Sequence, residues 1–154
     1  MAKHQTFRAG VGIIVKNDEG DVLALQRAGQ PGAWQLPQGG LAVGEEPLQA
    51  ALRELREETG LHTEQVELMA EHPLWLAYEL PAKVRSKKTG RGQVHKWFLF
   101  RLKDPSCAID EIRSDELDSA RWMSLPALAA ATWEVRRPVY RQLAEHFAGS
   151  LRPA

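Results

Sequence analysis

The sequence predicts an α/β fold in which a mixed β-sheet lies between helices. Three observations carry this. Apolar, β-branched runs at residues 7–15, 22–26 and 94–102 read as buried strands. Apolar residues recur with a helical period early, at Pro47–Thr59, and again late, at Leu125–Ala131 and 135–148, so helices flank the strands. A chain of 154 residues with 44% hydrophobic content can bury one core, so residues 1–154 are expected to form a single domain.

The first strand, residues 7–15, carries Gly10 and Gly12, and residues 17–21 form a turn into the second arm of a hairpin at 22–26. Residues 28–37 read as a Gly/Pro-punctuated loop that delivers Gln38, Gly39 and Gly40. The next helix is bounded on both sides. Pro47 suits a first turn because its missing N–H has no intrahelical partner there, and Gly60 suits the left-handed C-terminal cap. Leu48, Ala51, Leu52 and Leu55 make its apolar stripe. Residues 66–80 predict one or two strands broken near Pro73, and residues 120–123 a short strand. In the last helix Val139, Leu143 and Phe147 point to the core, and Pro138 moves its start toward Arg137. The tail, residues 150–154, is expected to fray.

Composition narrows the function. Net charge is +0, which gives no global attraction to nucleic acid or anionic membrane, and no DNA partner is expected. The single Cys107 allows no internal disulfide and fits a reducing compartment. No apolar run approaches the roughly 20 residues of a membrane span, and no signal-peptide pattern opens the chain, so a cytoplasmic protein without a membrane partner is expected.

The helix also carries chemistry. Gly39 and Gly40 precede Glu45, and Arg53, Glu54, Glu57 and Glu58 follow, in the pattern G-x5-E-x7-R-E-L-x-E-E-x-G-L. Glu54, Glu57 and Glu58 fall within an arc of about 100° opposite the apolar stripe. Like charges at these spacings repel by roughly 0.2–0.5 kcal/mol per pair. A hard divalent cation, Mg²⁺ or Mn²⁺, reverses the sign and leaves coordination positions for phosphate. Arg53 can pair with Glu57 four residues on, and the two glycines let backbone approach a ligand closely. The bland alternative is a solvated acidic face, but that needs neither the glycines nor Glu45.

This stretch resembles the signature of the Nudix hydrolases at every defined position from Gly39 to Leu61. The resemblance implies a Nudix-type α/β/α sandwich that hydrolyses nucleoside diphosphate linkages with Mg²⁺ or Mn²⁺. It implies catalytic roles for Arg53, Glu54, Glu57 and Glu58, and metal contacts from Glu54, Glu57, Glu58 and the Gly39 backbone.

Further segments refine this. Residues 34–40 (WQLPQGG), 75–81 (WLAYELP), 93–98 (QVHKWF), 115–118 (DELD, ahead of Trp122) and 137–140 (RPVY) are similar to segments of bacterial RNA pyrophosphohydrolases and their dinucleoside-polyphosphate-hydrolysing relatives. That branch implies that Glu116 joins the metal site from a loop. It also implies that Arg8, Arg27 and Arg136 lie near 5′ phosphates or the first base. Residues 80–103 contain no acid and eight cations, among them Lys88 and Lys96, and Lys3 adds to the N-terminal charge. Lys96 joins the substrate-binding candidates, and residues 86–92 read as an exposed mobile loop. Val135 stands where some RNA-acting members carry a stacking aromatic. Trp75 and Trp97 are weighed as base contacts against core packing.

The leading expectation is an RNA 5′-pyrophosphohydrolase whose substrate partner is a tri- or diphosphorylated RNA end. A dinucleoside polyphosphate such as diadenosine tetraphosphate is the close alternative. A nucleoside-triphosphate hydrolase and a non-catalytic nucleotide-binding module are more distant.

Overall fold

The structure is a computed structural model that describes residues 6–107, 109, 112 and 114–154. Lys3 lies outside the described residues.

The sheet is built around one parallel pair. Strand β1 (Phe7–Lys16) runs beside β7 (Gly92–Leu102) in unbroken register from Phe7↔Gly92 to Lys16↔Arg101. The other pairings are antiparallel, which makes the sheet mixed. The far edge of β7 is shared between β5 (Val66–Glu71) and β6 (Leu76–Glu79). The far edge of β1 is shared between β4 (Gln38–Gly40) and β2 (Val22–Arg27). β2 continues outward to β3 (Trp34–Gln35) and β8 (Leu117–Met123).

Both faces of the sheet are covered, so its central strands read as continuous apolar runs. One face packs Val11, Ile13, Val15, Phe98 and Phe100 against Ala50, Ala51 and Leu55 of α1 (Pro47–Thr59). The other packs Ile14, Trp97 and Leu99 against α2 (Leu125–Ala131) and α3 (Arg137–His146), through Leu128, Val139, Leu143 and Phe147. The α/β/α layering expected from sequence is therefore present. Gly12 belongs to it for a steric reason: a Cβ there would lie 2.3 Å from the Trp97 indole of the neighbouring strand.

Several local expectations change. Residues 28–37 contain the two-residue β3, and β4 follows at once; such short strands are set by their neighbours' hydrogen bonds and carry no period of their own. The β1–β2 hairpin meets only at Lys16↔Val22; β3 then pairs with β2 at Leu25 and Gln26, and β8 pairs along the other edge of β2. The 150–154 tail is tied down rather than frayed. Lys16 Nζ donates to the Ser150 carbonyl at 2.8 Å, and the Ala154 N–H donates to the Asp18 carbonyl at 2.7 Å. Residues 86–90 form a closed turn held by Ser86–Thr89 hydrogen bonds, and Arg91 N–H donates to the Thr6 carbonyl beside β1. Trp97 is 1% exposed and belongs to the core.

Candidate active site

Helix α1 starts at Pro47 and ends where Gly60, at φ 79°, turns its N–H back to the Arg56 carbonyl. Its apolar stripe fixes its rotation, and that rotation turns Glu54 toward β4 instead of solvent. A Cβ on Gly39 would lie 1.9 Å from the Glu54 carboxyl carbon, so only glycine permits this approach. Arg53 ties the helix to the loop before it. Its Nε and Nη2 donate to Glu45 at 2.8 and 2.9 Å, and Nη2 also donates to the Gly40 carbonyl at 2.9 Å. Its Nη1 donates to Glu54 at 2.8 Å and Glu57 at 3.2 Å. The hydrogen-bonded guanidinium holds the Glu45 carboxyl down at about 2.

Glu54 and Glu58 differ from Glu45 in sign. Burial, opposed by Arg53, raises the Glu54 pKa. Burial, with the nearby Glu54 charge, pushes Glu58 up to about 8. These acids form one wall of a cleft of about 390 Å³, and Gln38 and Gly39 form its floor. Arg8, Arg27, Lys88 and Arg136 stand around it, and Glu116 reaches it from the segment before β8. Arg136 is buried and rigidly held: Nη1 donates to Gln35 at 2.9 Å and Nε lies 3.4 Å from the Tyr78 hydroxyl. Behind it, the Leu36 N–H donates to the Tyr140 hydroxyl at 2.8 Å, which fastens α3 to the segment that carries Gln35 and Gln38.

The cleft thus brings together Gly39, Glu54, Glu57, Glu58, Glu116, Arg8, Arg27 and Arg136 of the residues singled out from sequence. Arg53 bonds Glu54 and Glu57 without lining the cleft itself, and Lys96 lies away from it. This lysine projects from the opposite face of β7 to Gln93 and His95, and its Nζ pairs with Glu71 at 3.0 Å and the His72 carbonyl. Trp75 is exposed and lines neither this cleft nor the cavity beside it. Sequence reasoning missed Gln35, Gln38, Gln93, His95 and Trp133. The period-2 alternation of β7 groups Gln93 with His95 and separates both from Lys96.

The donor set suits a hard divalent cation. Its atoms are carboxylate and carbonyl oxygens. Glu58 Oε2 and Gln38 Oε1 are buried without a partner among the described residues, a costly arrangement unless a ligand completes it. Among those residues, no three His, Cys, Asp or Glu side chains are grouped for metal as they stand; Glu54 and Glu57 share Arg53 instead.

A second cavity of about 340 Å³ adjoins the cleft and shares Arg27, Gln93 and Arg136 with it. Its walls are aromatic, from Trp34, Tyr78 and Trp133. The Arg136 guanidinium carbon lies 5.6 Å from the Trp133 ring centre.

The family model of the NUDIX domain matches residues 6–143. The chain belongs to the Nudix family. Among its relatives, an RNA pyrophosphohydrolase of Gluconacetobacter diazotrophicus is 38% identical, over 96% of this chain and 95% of its own. One of Cereibacter sphaeroides is 41% identical, over 92% and 90%. Nudix-fold likeness extends to the E. coli dihydroneopterin triphosphate pyrophosphohydrolase, with TM-score 0.70 and 25% identity over 90% of this chain and 97% of that one. A C. elegans Ap4A hydrolase has TM-score 0.66 at 23% identity, over 92% and 98%, a likeness of fold. No helix among the described residues is long and apolar enough to cross a membrane.

Proposed function

We propose that this chain is a divalent-metal-dependent pyrophosphohydrolase that converts 5′-tri- or diphosphorylated RNA to 5′-monophosphate RNA. The observation that carries the reading is the convergence of Glu54, Glu57 and Glu58 with Arg8, Arg27 and Arg136 on one cleft. The names of the relatives support it.

Glu54, Glu57, Glu58 and Glu116, with the Gly39 carbonyl, would hold Mg²⁺ or Mn²⁺. When bound, such an ion neutralises phosphate oxygens and makes an attacking water more acidic. The protein's own groups do the rest. Arg53 orients Glu54 and Glu57 and fastens the helix to Gly40 and Glu45. The glutamates supply the site's proton acceptors. Arg8, Arg27 and Arg136 hold the phosphate chain, and the aromatic cavity receives a base, with Trp133 as the stacking platform in place of an aromatic at Val135. Lys87 and Lys88, which form no ion pair with other described residues, extend the positive surface toward the RNA backbone.

A dinucleoside polyphosphate fits the same metal chemistry, and the aromatic cavity would take one of its nucleosides. The deciding experiment compares kcat/KM on short 5′-triphosphate RNA and on diadenosine tetraphosphate, with Mg²⁺, at two salt concentrations. Preference for RNA, weakening with salt, is expected. Preference for the dinucleotide would reassign the substrate, and hydrolysis of neither would remove the reading.

A further inference from the structure

His95 is a buried titratable group for which the chemistry above has no use. It lies on β7 opposite Gly10 of β1 and is 3% exposed, yet it lines the cleft. Neither ring nitrogen makes a hydrogen bond to a described residue, and Nδ1 is fully buried without a partner. The ring is held edge-on between Tyr78 and Trp97, with centres 6.0 and 5.9 Å away, so packing fixes its direction.

Gly10 explains where the ring opens. A Cβ at that position would lie 2.9 Å from His95 Cδ2, 3.2 Å from Nε2 and 2.4 Å from the Gly39 carbonyl oxygen. The missing side chain leaves a notch that both Nε2 and the Gly39 carbonyl border. Burial, helped by the positive charges of Arg136 and Arg8, pushes the His95 pKa down to about 3, so the ring is neutral at physiological pH. A neutral imidazole has one N–H. With Nδ1 enclosed among aromatic rings, Nε2 is the nitrogen that can offer its proton to the cleft.

We propose that His95 is a substrate-binding residue whose imidazole donates a hydrogen bond from Nε2 to a phosphate oxygen of the polyphosphate chain, between Arg8 and Arg136. The inference rests on the pyrophosphohydrolase reading for its substrate class.

The test uses the full-length protein and inorganic pyrophosphate with Mg²⁺ as probe. Ring-nitrogen NMR signals of His95, identified by their loss in His95→Gln, are expected to shift on saturation with pyrophosphate. His95→Phe keeps an aromatic ring but no donor. It is expected to raise KM for 5′-triphosphate RNA roughly 10- to 100-fold with little change in kcat. His95→Gln, which retains an N–H donor, is expected to recover most of that loss. A merely structural His95 would not give this rescue. Ring signals unmoved at saturation, or wild-type KM in His95→Phe, would overturn the proposal; should that variant not fold, the wild-type titration decides. A wild type that hydrolyses neither substrate would defeat the functional reading instead, and the pyrophosphate titration would still judge the His95 contact.

Discussion

Three of the four acids that line the cleft, Glu54, Glu57 and Glu58, come from one helix, with Glu116 added from the segment before β8, whereas the basic wall is collected from β1, β2, the β6–β7 turn and the start of α3. On the helix, Arg53 is a hub that bonds Glu45, Glu54, Glu57 and the Gly40 carbonyl. The basic wall has no such hub. Arg136 depends on Gln35 and Tyr78, while Arg8 and Arg27 are exposed. A local wall suits a metal, whose coordination tolerates little misplacement. A dispersed wall suits selection, because each contributor can change without disturbing the chemistry.

The comparison can be broken most sharply at Glu57. It is exposed, so Glu57→Gln should leave the thermal midpoint unchanged while lowering kcat on the order of 10³-fold or more. Turnover near wild type would remove it from the site. Gly39→Ala comes next. The added methyl has no space beside Glu54, so the carboxylate must swing away, and turnover should fall roughly 10²-fold. Measured Mg²⁺ affinity should fall with it; unchanged affinity would separate Gly39 from the metal. On the basic side, Trp133→Ala should raise KM by about tenfold, through loss of stacking, with kcat preserved. An equal fall in kcat would place Trp133 in the chemical step.

Glu58 sharpens the contrast in stability. Its folded pKa is raised from 4.5 to about 8, so between those values the folded chain binds the extra proton. Metal-free stability should therefore fall as pH rises through that window. Glu58→Gln should flatten the dependence and raise the metal-free melting temperature at pH 8, read by calorimetry, while abolishing activity. A flat wild-type profile would contradict the assigned burial. The smallest effect belongs to Lys96→Ala, which should lower thermal stability by breaking the Glu71 and His72 contacts yet leave kcat/KM unchanged.

These two walls also explain what was legible in the sequence. The acidic wall could be read because Pro47, Gly60 and the Leu48–Leu55 stripe specify one helix, and the rotation of that helix places its acids. The strand cores were equally plain, since a sheet covered on both faces needs continuous apolar runs. Arg8, Arg27, Arg136 and Glu116 were reached only through family resemblance, because nothing local distinguishes them from surface charge. Lys96 was assigned by its place in a basic run, when strand parity puts it on the far face. Trp133 was overlooked because it lies just before the short 3-10 turn Glu134–Arg136, which has no face of its own. The β3 and β4 strands are too short to show a period, and the tail's anchors, Lys16 and Asp18, are remote in sequence.

The pairing of β1 with β7 has a consequence for how the protein is made. The first strand to leave the ribosome must wait for nearly two-thirds of the chain before its parallel neighbour exists. Arg136 arrives later still. Contacts of such long sequence separation slow folding, because loop closure precedes any reward from pairing. The acidic helix emerges early, after Arg8 and Arg27, but Lys88 and Arg136, which complete the basic surface, come well behind it. A nascent chain therefore carries the acidic helix well before Arg136 is present to help close the cleft around a phosphate.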